Sequence, residues 1–297
     1  MPKRINKALE LLEQGQPIYS EGTRELTFEK GKAMAQTWAD YIGIDMEHGT
    51  MDLKGLEAFM NGLVAGGPTK SGHRTPAVIM TIPTDGTNEE IVRTNSWMMK
   101  QVLARGIHGI LLCHVESAGA VKAFVESCRY PFQSIGLGDV LGDGRRGGGG
   151  QRTAAEIWGL DPVEYMKVAD PWPLNPNGEL LLGLKIENKR ALEKCEETAA
   201  VPGIAFAEWG PGDMGLSLGY ADAHDPPYPA DMDAARLRIK QALDDNNIAF
   251  LCAWNEPDMS VEKRVQKQLD DGVKVLAGAG EEGARIGRTK TGRTMLV

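Results

Sequence analysis

This 297-residue chain has the composition of a globular protein, with 42% hydrophobic and 25% charged side chains, which excludes a mainly disordered one. Its 41 acidic residues outnumber its 33 basic residues, and a net charge of −8 without a dense basic stripe argues against nucleic acid as a partner. The first 16 residues are charged throughout and no run of about 18 apolar residues follows, so we expect no signal peptide and no membrane span. We therefore predict a cytoplasmic protein.

Short apolar runs alternate with helical patterns over most of the chain. The predicted strands are residues 17–21, 41–47, 76–83, 109–113, 181–187, 203–209, 248–254 and 273–278. The predicted helices are residues 29–39, 52–65, 88–105, 117–128, 189–199, 232–245, 260–271 and 281–287. Most strand runs are apolar without strict alternation, which is typical of parallel strands covered by helices. Eight β-then-α units predict an α/β fold, a (β/α)₈ TIM barrel forming a single domain over residues 1–297 with a C-terminal helix and tail, and a doubly wound open sheet is the competing arrangement.

Local signals mark two helix starts and the state of the cysteines. Thr87 with Glu90 fits a capping box, and Asn188 is placed to cap the helix that follows it. The four cysteines are widely spaced within apolar or helical patterns, which predicts buried free thiols.

Residues 136–178 interrupt the alternation between predicted strands four and five. The segment contains four consecutive glycines at 147–150 and a proline-rich stretch at 170–173. We expect a long inserted loop with one short helix near residues 161–168, and because loops of this length are commonly functional, we predict a lid. The chain has 36 glycines against about 21 at average usage, and we assign the excess to this loop and to turns.

Acidic and imidazole side chains are concentrated after the predicted strands, which is where the catalytic groups of a barrel lie. They are Asp45, Glu47 and His48 after strand two, His114 and Glu116 after strand four, Lys185 and Glu187 ending strand five, Glu208 and residues 210–213 after strand six, and Asn255 and Glu256 after strand seven. We expect these side chains to meet at one rim of the barrel.

Three of these strand ends carry a family resemblance. They are Ile-Asp-Met-Glu-His-Gly at 44–49, Lys-Ile-Glu at 185–187 and Trp-Gly-Pro-Gly-Asp-Met-Gly-Leu-Ser-Leu-Gly-Tyr at 209–220. With their order and spacing, the motifs resemble the HpcH/HpaI aldolase family, which are metal-dependent class II pyruvate aldolases of the phosphoenolpyruvate/pyruvate barrels. The resemblance covers residues 8–288.

The resemblance implies that Glu187 and Asp213 are the protein ligands of a divalent cation, which would be Mg²⁺, Mn²⁺, Co²⁺ or Zn²⁺. Two carboxylates make a hard oxygen site with positions left for water and a 2-oxo acid, whose enolate the cation stabilises. The resemblance also implies that the turn of Gly210, Pro211 and Gly212 binds the substrate carboxylate. On spacing alone, Glu187 also fits a helix cap and Asp213 a solvated acid. The turn at Gly210 also fits a tight strand-to-helix connection.

By the same resemblance, His48 is the acid/base group and Asp45 orients it, with Glu47 as an acceptor close by. An imidazole titrates near neutral pH, which suits proton transfer. Trp209 precedes the turn and would add aromatic surface for the substrate, although a tryptophan there also fits a packing role. The family offers no role for His114, and we interpret it as structural.

The sequence departs from the family at the arginines that contact pyruvate. Predicted strand three ends in Met-Thr-Ile-Pro at 80–83, where the family has an arginine before the proline, and a second arginine is missing after Tyr130 and Pro131. Lys185 stands where glutamine is common, and we predict that its ammonium replaces the arginine as a point charge. Weaker substitutes are Arg24, Arg74, Arg145 and Arg146.

The resemblance therefore implies a carbon–carbon lyase, an aldolase that cleaves a 4-hydroxy-2-oxo acid to pyruvate or a related 2-oxo acid and an aldehyde. The alternatives are decarboxylation or another enolate reaction at the same metal site, Schiff-base chemistry at Lys185, and a barrel that only binds a ligand. Family members are homo-oligomers. The expected partners are thus a small-molecule 2-oxo acid and further copies of the chain, in a hexamer or another trimer-based assembly.

Overall fold

The computed structural model describes residues 2–138 and 140–297, over which the chain forms nine strands and fourteen helices. The strands are β1 (Ile18–Thr23), β2 (Tyr41–Asp45), β3 (Ala77–Asp85), β4 (Gly109–Cys113), β5 (Pro171–Trp172), β6 (Leu180–Lys185), β7 (Phe206–Glu208), β8 (Ala249–Cys252) and β9 (Val275–Leu276). The helices are α1 (Lys7–Glu13), α2 (Phe28–Met34), α3 (Leu53–Ala65), α4 (Glu89–Thr94), α5 (Ser96–Leu103), α6 (Ala118–Cys128), α7 (Gln151–Trp158), α8 (Pro162–Val168), α9 (Lys189–Glu193), α10 (Cys195–Ala199), α11 (Pro211–Leu218), α12 (Ala230–Asp245), α13 (Val261–Asp270) and α14 (Gly280–Lys290). In this part of the chain, no helix is both long and apolar enough to cross a membrane.

Eight of the strands close into a parallel barrel. β1 pairs with β2 and with β9, and β4 pairs with β6 from Gly109↔Leu181 onwards, which closes the ring. The two-residue β5 pairs with the start of β6 and is not one of the eight. Each predicted strand overlaps one barrel strand. The predicted (β/α)₈ barrel is therefore confirmed, and the open sheet is excluded because the sheet is closed.

Side chains alternate along each strand between the barrel interior and the helical layer. In β3, Ala77 and Ile79 belong to the interior cluster, whereas Val78 and Met80 pack in the outer cluster beneath the helices. Both faces of the strand are buried, so apolar residues occupy successive positions. The four cysteines are free and buried, as predicted.

Helix α1 covers the amino-terminal end of the barrel, an element that the sequence patterns did not predict. Leu9 and Leu11 pack against the interior cluster at this end of the barrel. Asn6 Nδ2 donates to the carbonyls of His108 and Glu179, which stand just before β4 and β6. The carboxyl end of the barrel is thereby left as the open end.

Two predicted helices are divided in the structure, and one predicted cap is wrong. Residues 88–105 form α4 and α5, and residues 189–199 form α9 and α10. The capping box at Thr87 is wrong because Asn88 caps α4 and accepts the N–H group three residues further on. Asn188 caps α9 in the same manner, as predicted.

Residues 151–172 of the inserted segment pack at the amino-terminal end of the barrel. Its β5 pairs with the start of β6, and Trp158 Nε1 donates to the carbonyl of Gly106, just before β4. Asp170 forms a buried ion pair with Arg129 at 2.6 Å. Helix α8 confirms the short helix predicted near residues 161–168, whereas α7 was not predicted. These contacts lie at the end opposite the open rim, and the role of the segment as a lid stays a prediction.

Candidate active site

The carboxyl end of the barrel opens into a cavity of about 520 Å³. Its polar rim is formed by side chains from β2, β6, β7 and the turn after β2, which are Asp45, Glu47, His48, Lys185 and Glu208. Its deeper walls inside the barrel are mainly apolar, and include Tyr41, Ile79, Leu111, Phe206 and Leu251. Of the residues that the strand-end pattern placed at one rim, the five of the polar rim line the cavity, whereas His114, Glu116, Glu187, residues 210–213, Asn255 and Glu256 are not among its lining residues.

Lys185 lies among the carboxylates of Glu47 and Glu187, which follow β2 and β6, and of Glu208 in β7. Its Nζ is 2.9 Å from Glu47 Oε2 and 3.1 Å from Glu187 Oε2, and Lys185 stands opposite Glu208 in the β6–β7 register. Burial by itself would lower the pKa of Lys185, but the charges of Glu187 and Glu208 outweigh it and raise the pKa above its usual value. The side chain is thus held as an ammonium group at the rim.

Glu208 is a buried carboxyl group of the rim for which the sequence offered no role beyond its position after a strand. Burial raises the pKa of Glu208 to about 7, although the charge of Lys185 opposes this shift. Its side chain faces the cavity. A carboxyl group that titrates near neutral pH is able to exchange a proton with a bound ligand.

Glu187 is fully buried beneath this rim. Burial raises its pKa, against the opposing charge of Lys185. Its Oε1 accepts the backbone N–H of His114 at 2.9 Å, whereas no described residue donates a hydrogen bond to its Oε2, which is in ionic contact with Lys185. A buried carboxylate oxygen without a hydrogen-bond donor is costly unless a cation lies beside it.

His114 is a candidate functional residue that sequence reasoning missed. Its φ of 45° places a non-glycine residue in the left-handed region, a strain that clusters at functional sites. Its ring nitrogens lie 3.4 Å from Glu187 Oε1 and 3.5 Å from Glu47 Oε1. The position after a strand was the available signal, but neither the strained backbone nor the contact with two carboxylates can be predicted from local sequence.

Asp45 and His48 form a hydrogen-bonded pair at the end of β2. Asp45 Oδ2 is 2.9 Å from His48 Nδ1, and Asp45 Oδ1 accepts the backbone N–H groups of Glu47 and His48. The hydrogen bond to Asp45 raises the pKa of His48 above its ordinary value. Because Nδ1 is engaged by Asp45, Nε2 is the atom available for proton exchange.

The turn at Gly210 packs directly against Glu187. Gly210 has a φ of 52°, and a Cβ there would lie 2.4 Å from the Cβ of Glu187, so the turn requires glycine. Pro211 begins α11, and the first N–H groups of a helix have no partner within it. Asp213 lies in the first turn of α11, and its charge contributes to the raised pKa of Glu208.

Trp209 is part of the packed layer behind the turn. It is fully buried, with its ring centre 5.1 Å from that of Tyr228 and 6.1 Å from that of Trp254 in edge-on arrangements. It is not among the residues that line the cavity. This geometry fits the packing role, and the substrate-binding role of Trp209 stays a prediction.

The cations named as substitutes for the missing arginine lie in different parts of the fold. Lys185 and Arg24 line the cavity, and Arg24 is exposed at its edge. Arg74, Arg145 and Arg146 contact residues outside the cavity. Lys185 is the one of these five that contacts the rim carboxylates.

The carboxyl groups of the rim suit a divalent cation. Glu47, Glu187 and Glu208 surround the ammonium of Lys185, which leaves an excess of negative charge among these described residues. Ligand atoms of Glu47, Glu187 and His114 lie within 4.8 Å of one another. Oxygen ligands with one imidazole fit Mg²⁺, Mn²⁺, Co²⁺ or Zn²⁺.

Comparison with known proteins identifies the family. The sequence profile of the HpcH/HpaI aldolase/citrate lyase family matches residues 74–276. The chain belongs to this family. Membership indicates a lyase and confirms the resemblance seen in the motifs.

Named relatives of the HpcH/HpaI family align over most of the chain. A hydroxypyruvate/pyruvate aldolase from Roseobacter denitrificans is 25% identical over 280 residues, which is 94% of this chain and 92% of that protein. A 4-hydroxy-2-oxovalerate aldolase from Novosphingobium aromaticivorans is 29% identical over 241 residues, covering 80% and 74% respectively. The crystal structure of a family protein from Burkholderia cenocepacia superimposes with a TM-score of 0.68 at 20% identity, covering 96% of this chain and 97% of that one. The superposition supports the barrel fold.

Proposed function

We propose that this protein is an aldolase that depends on a divalent cation and cleaves a 4-hydroxy-2-oxo acid to pyruvate, or a related 2-oxo acid, and an aldehyde. The observation that carries the proposal is the buried Glu187 carboxylate at the barrel rim, packed against the Gly210 turn and in contact with Lys185. The similarity to proteins named hydroxypyruvate/pyruvate aldolase and 4-hydroxy-2-oxovalerate aldolase supports the same class of reaction.

Glu187 and Asp213 are the residues that would hold the cation. When bound, a divalent cation supplies Lewis-acid polarisation of the keto group of a 2-oxo acid. The N–H groups at the start of α11, after Gly210, bind the substrate carboxylate in this proposal. The hydrogen bond from His114 keeps the Glu187 side chain in place.

His48 carries the proton of the hydroxyl group on C4. In the cleavage direction, neutral Nε2 takes this proton while the C3–C4 bond breaks and its electrons pass into the 2-oxo acid half, leaving an aldehyde. Asp45 holds the imidazole in the required tautomer and stabilises the imidazolium. Lys185 places a positive charge at the rim where the 2-oxo acid gains negative charge.

The geometry also bears on the alternative reactions. A Schiff base requires a neutral amine, whereas the contacts with Glu47 and Glu187 hold Lys185 as an ammonium, which disfavours this route. Decarboxylation uses the same cation site and remains the second candidate. The cytoplasmic location and the homo-oligomeric assembly, hexameric or trimer-based, stay predictions from the sequence.

The proposal is tested by incubating the protein with 4-hydroxy-2-oxopentanoate and with oxaloacetate, each with Mn²⁺ or with EDTA, while pyruvate, aldehyde and CO₂ are measured. We expect release of pyruvate and acetaldehyde that EDTA abolishes, and no adduct at Lys185 after borohydride treatment. CO₂ release without aldol cleavage would support the decarboxylase instead. A borohydride-trapped adduct would support Schiff-base chemistry, and no turnover at all would support a barrel that only binds.

The substitution Asp45→Asn is expected to move the rising limb of the pH profile of kcat/KM to lower pH. Asp45 raises the pKa of His48, so without its charge the imidazole becomes the neutral base at a lower pH. We expect the plateau rate to fall by about 10²-fold as the imidazole loses its orientation. The pH dependence of pyruvate release measures both effects.

A control is available in the exposed Asp244 of α12, whose carboxylate pairs with Lys240 at 2.5 Å outside the cavity. The substitution Asp244→Asn is expected to leave the pH profile unchanged. An unshifted profile in Asp45→Asn would show that His48 is not the base.

A further inference from the structure

Gly43 leaves free space inside the barrel, although neither its backbone conformation nor close packing requires a glycine at this position. It stands at an inward position of β2, between Tyr41 and Asp45, and it lines the cavity. It is not among the glycines with positive φ, and a Cβ at this position would meet no described atom within 4 Å. Gly183 differs, because a Cβ there would lie 2.4 Å from the Phe206 ring. Glycine at position 43 thus serves neither a turn nor close packing.

Gly22 enlarges the same space from the neighbouring strand. It pairs in register with Gly43, and a Cβ on Gly22 would be 3.9 Å from the carbonyl oxygen of Gly43. The small side chains of Ala253 and Ala277 and the ring of Tyr41 complete the surrounding walls. We call the space bounded by these five residues and Ser20 the glycine lobe. Its polar groups are the Ser20 hydroxyl, which donates to the Ala277 carbonyl oxygen, and the Tyr41 phenol, whose pKa burial raises.

The glycine lobe faces the proposed cation site across the mouth of the barrel. In the closed ring of eight strands, β1 is separated from β6 by the same number of strands in both directions. Lys185, which contacts Glu187, lines the same cavity as the lobe, so one substrate has room to extend from Lys185 to the lobe. On the way it passes Asp45 and His48 at the end of β2.

We propose that the glycine lobe binds an apolar group on C4 of the substrate, so that the aldehyde half is aromatic or a longer alkyl chain. This inference rests on the function proposed above and names the substrate class. The charged groups of the cavity lie at the rim, whereas the lobe offers apolar contact to a buried group. A cavity of about 520 Å³ is also in the size range that encloses ligands larger than pyruvate.

The substitution Gly43→Leu tests the proposal because its Cβ has room and its side chain fills the lobe. The two substrates are 4-hydroxy-2-oxo-4-phenylbutanoate and 4-hydroxy-2-oxopentanoate, which differ only in the group on C4. We expect wild type to prefer the phenyl compound, and Gly43→Leu to lower kcat/KM for it by about 10–200-fold. The value for the methyl compound is expected to change by less than about threefold.

Gly148→Leu is the matched control, since a Cβ on this exposed glycine also meets nothing and the residue lies outside the cavity. It is expected to leave both values unchanged. A wild type without preference for the phenyl compound, or equal losses for both compounds in Gly43→Leu, would overturn the proposal. Thermal unfolding of both variants verifies that the barrel is intact.

A binding measurement separates this proposal from the aldolase function. The compounds 2-oxo-4-phenylbutanoate and 2-oxobutanoate lack the hydroxyl group that cleavage needs, and calorimetry with Mn²⁺ present measures their affinity. We expect tighter binding of the phenyl compound by wild type and loss of that advantage in Gly43→Leu. If this binding preference is measured but no turnover is detected, the lobe proposal is supported and the proposed function is contradicted. If turnover is seen without a phenyl advantage, the function stands and the lobe proposal fails.

Discussion

Replacement of Glu187 by glutamine is expected to abolish divalent-cation binding and to lower kcat/KM by at least about 10³-fold. The amide keeps the size of the side chain and an oxygen for the His114 N–H, but it removes the buried negative charge. Lewis-acid stabilisation of the developing charge is worth several kcal/mol, and its loss gives a rate change of this size. Calorimetry with Mn²⁺ measures binding, and release of pyruvate measures turnover.

Glu116 provides the matched control for this substitution. It also follows a barrel strand, but its carboxylate pairs with Arg190 at 2.7 Å and accepts a hydrogen bond from Asn188. Glu116→Gln is expected to retain cation binding and turnover. Full turnover by Glu187→Gln that EDTA does not reduce would contradict the proposed mechanism, provided that circular dichroism shows an intact fold.

Replacement of Lys185 by methionine is expected to lower turnover by about 10²-fold, because the positive charge beside the reacting 2-oxo acid is lost. Without added metal, stability should fall as well, since Glu47, Glu187 and Glu208 then face one another without a cation. Removing one partner of a buried ion pair costs about 3–5 kcal/mol, and because Lys185 is buried we expect a loss of this size. Denaturant unfolding with and without Mn²⁺ measures it, and added Mn²⁺ is expected to reduce the loss.

The stability loss in Lys185→Met is expected to grow as the pH rises. Without the ammonium, mutual repulsion raises the pKa values of the three carboxyl groups in the folded protein above those in the unfolded chain. The folded state then binds more protons than the unfolded state, so the free energy of unfolding decreases as pH rises through these pKa values. Lys185→Arg restores the charge and should recover stability more fully than turnover. A stability change that is equal at about pH 5 and about pH 8 would contradict this account.

Local sequence predicted those parts of the site whose residues are close in the chain. Asp45 and His48 are three residues apart, and their hydrogen bond follows from the turn after β2. The turn at Gly210 and the first turn of α11 are likewise contained in one short motif. In such segments the backbone geometry is set by neighbouring residues, so that spacing carries the information.

Local sequence patterns did not predict the contacts between residues that are far apart in the chain. Lys185 and Glu47 are 138 residues apart, and their contact depends on the closure of the barrel. Strand-end position indicated that both belong to one rim, but not which side chains would touch. The strained backbone of His114 and the raised pKa of Glu208 also arise from neighbours on other strands.

The glycines show the same division. We assigned the glycine excess to turns and to residues 136–178, and Gly210 fits that assignment. Gly22 and Gly43 instead lie inside β1 and β2, where they open the barrel interior. A pattern reports whether a position is apolar or small, but the space left by a missing side chain depends on what the other strands place opposite it.

By itself, the sequence determined the order of strands and helices, the closed-barrel class, the family and the pairing of Asp45 with His48. Hydrophobic periodicity and short motifs are local, and eight repeated units leave few ways to bury their apolar faces. Only the tertiary structure decided that Lys185 contacts both Glu47 and Glu187, that residues 151–172 lie away from the rim and that Gly43 opens a lobe. These features depend on distances between residues far apart in the chain, which the closure of the barrel sets.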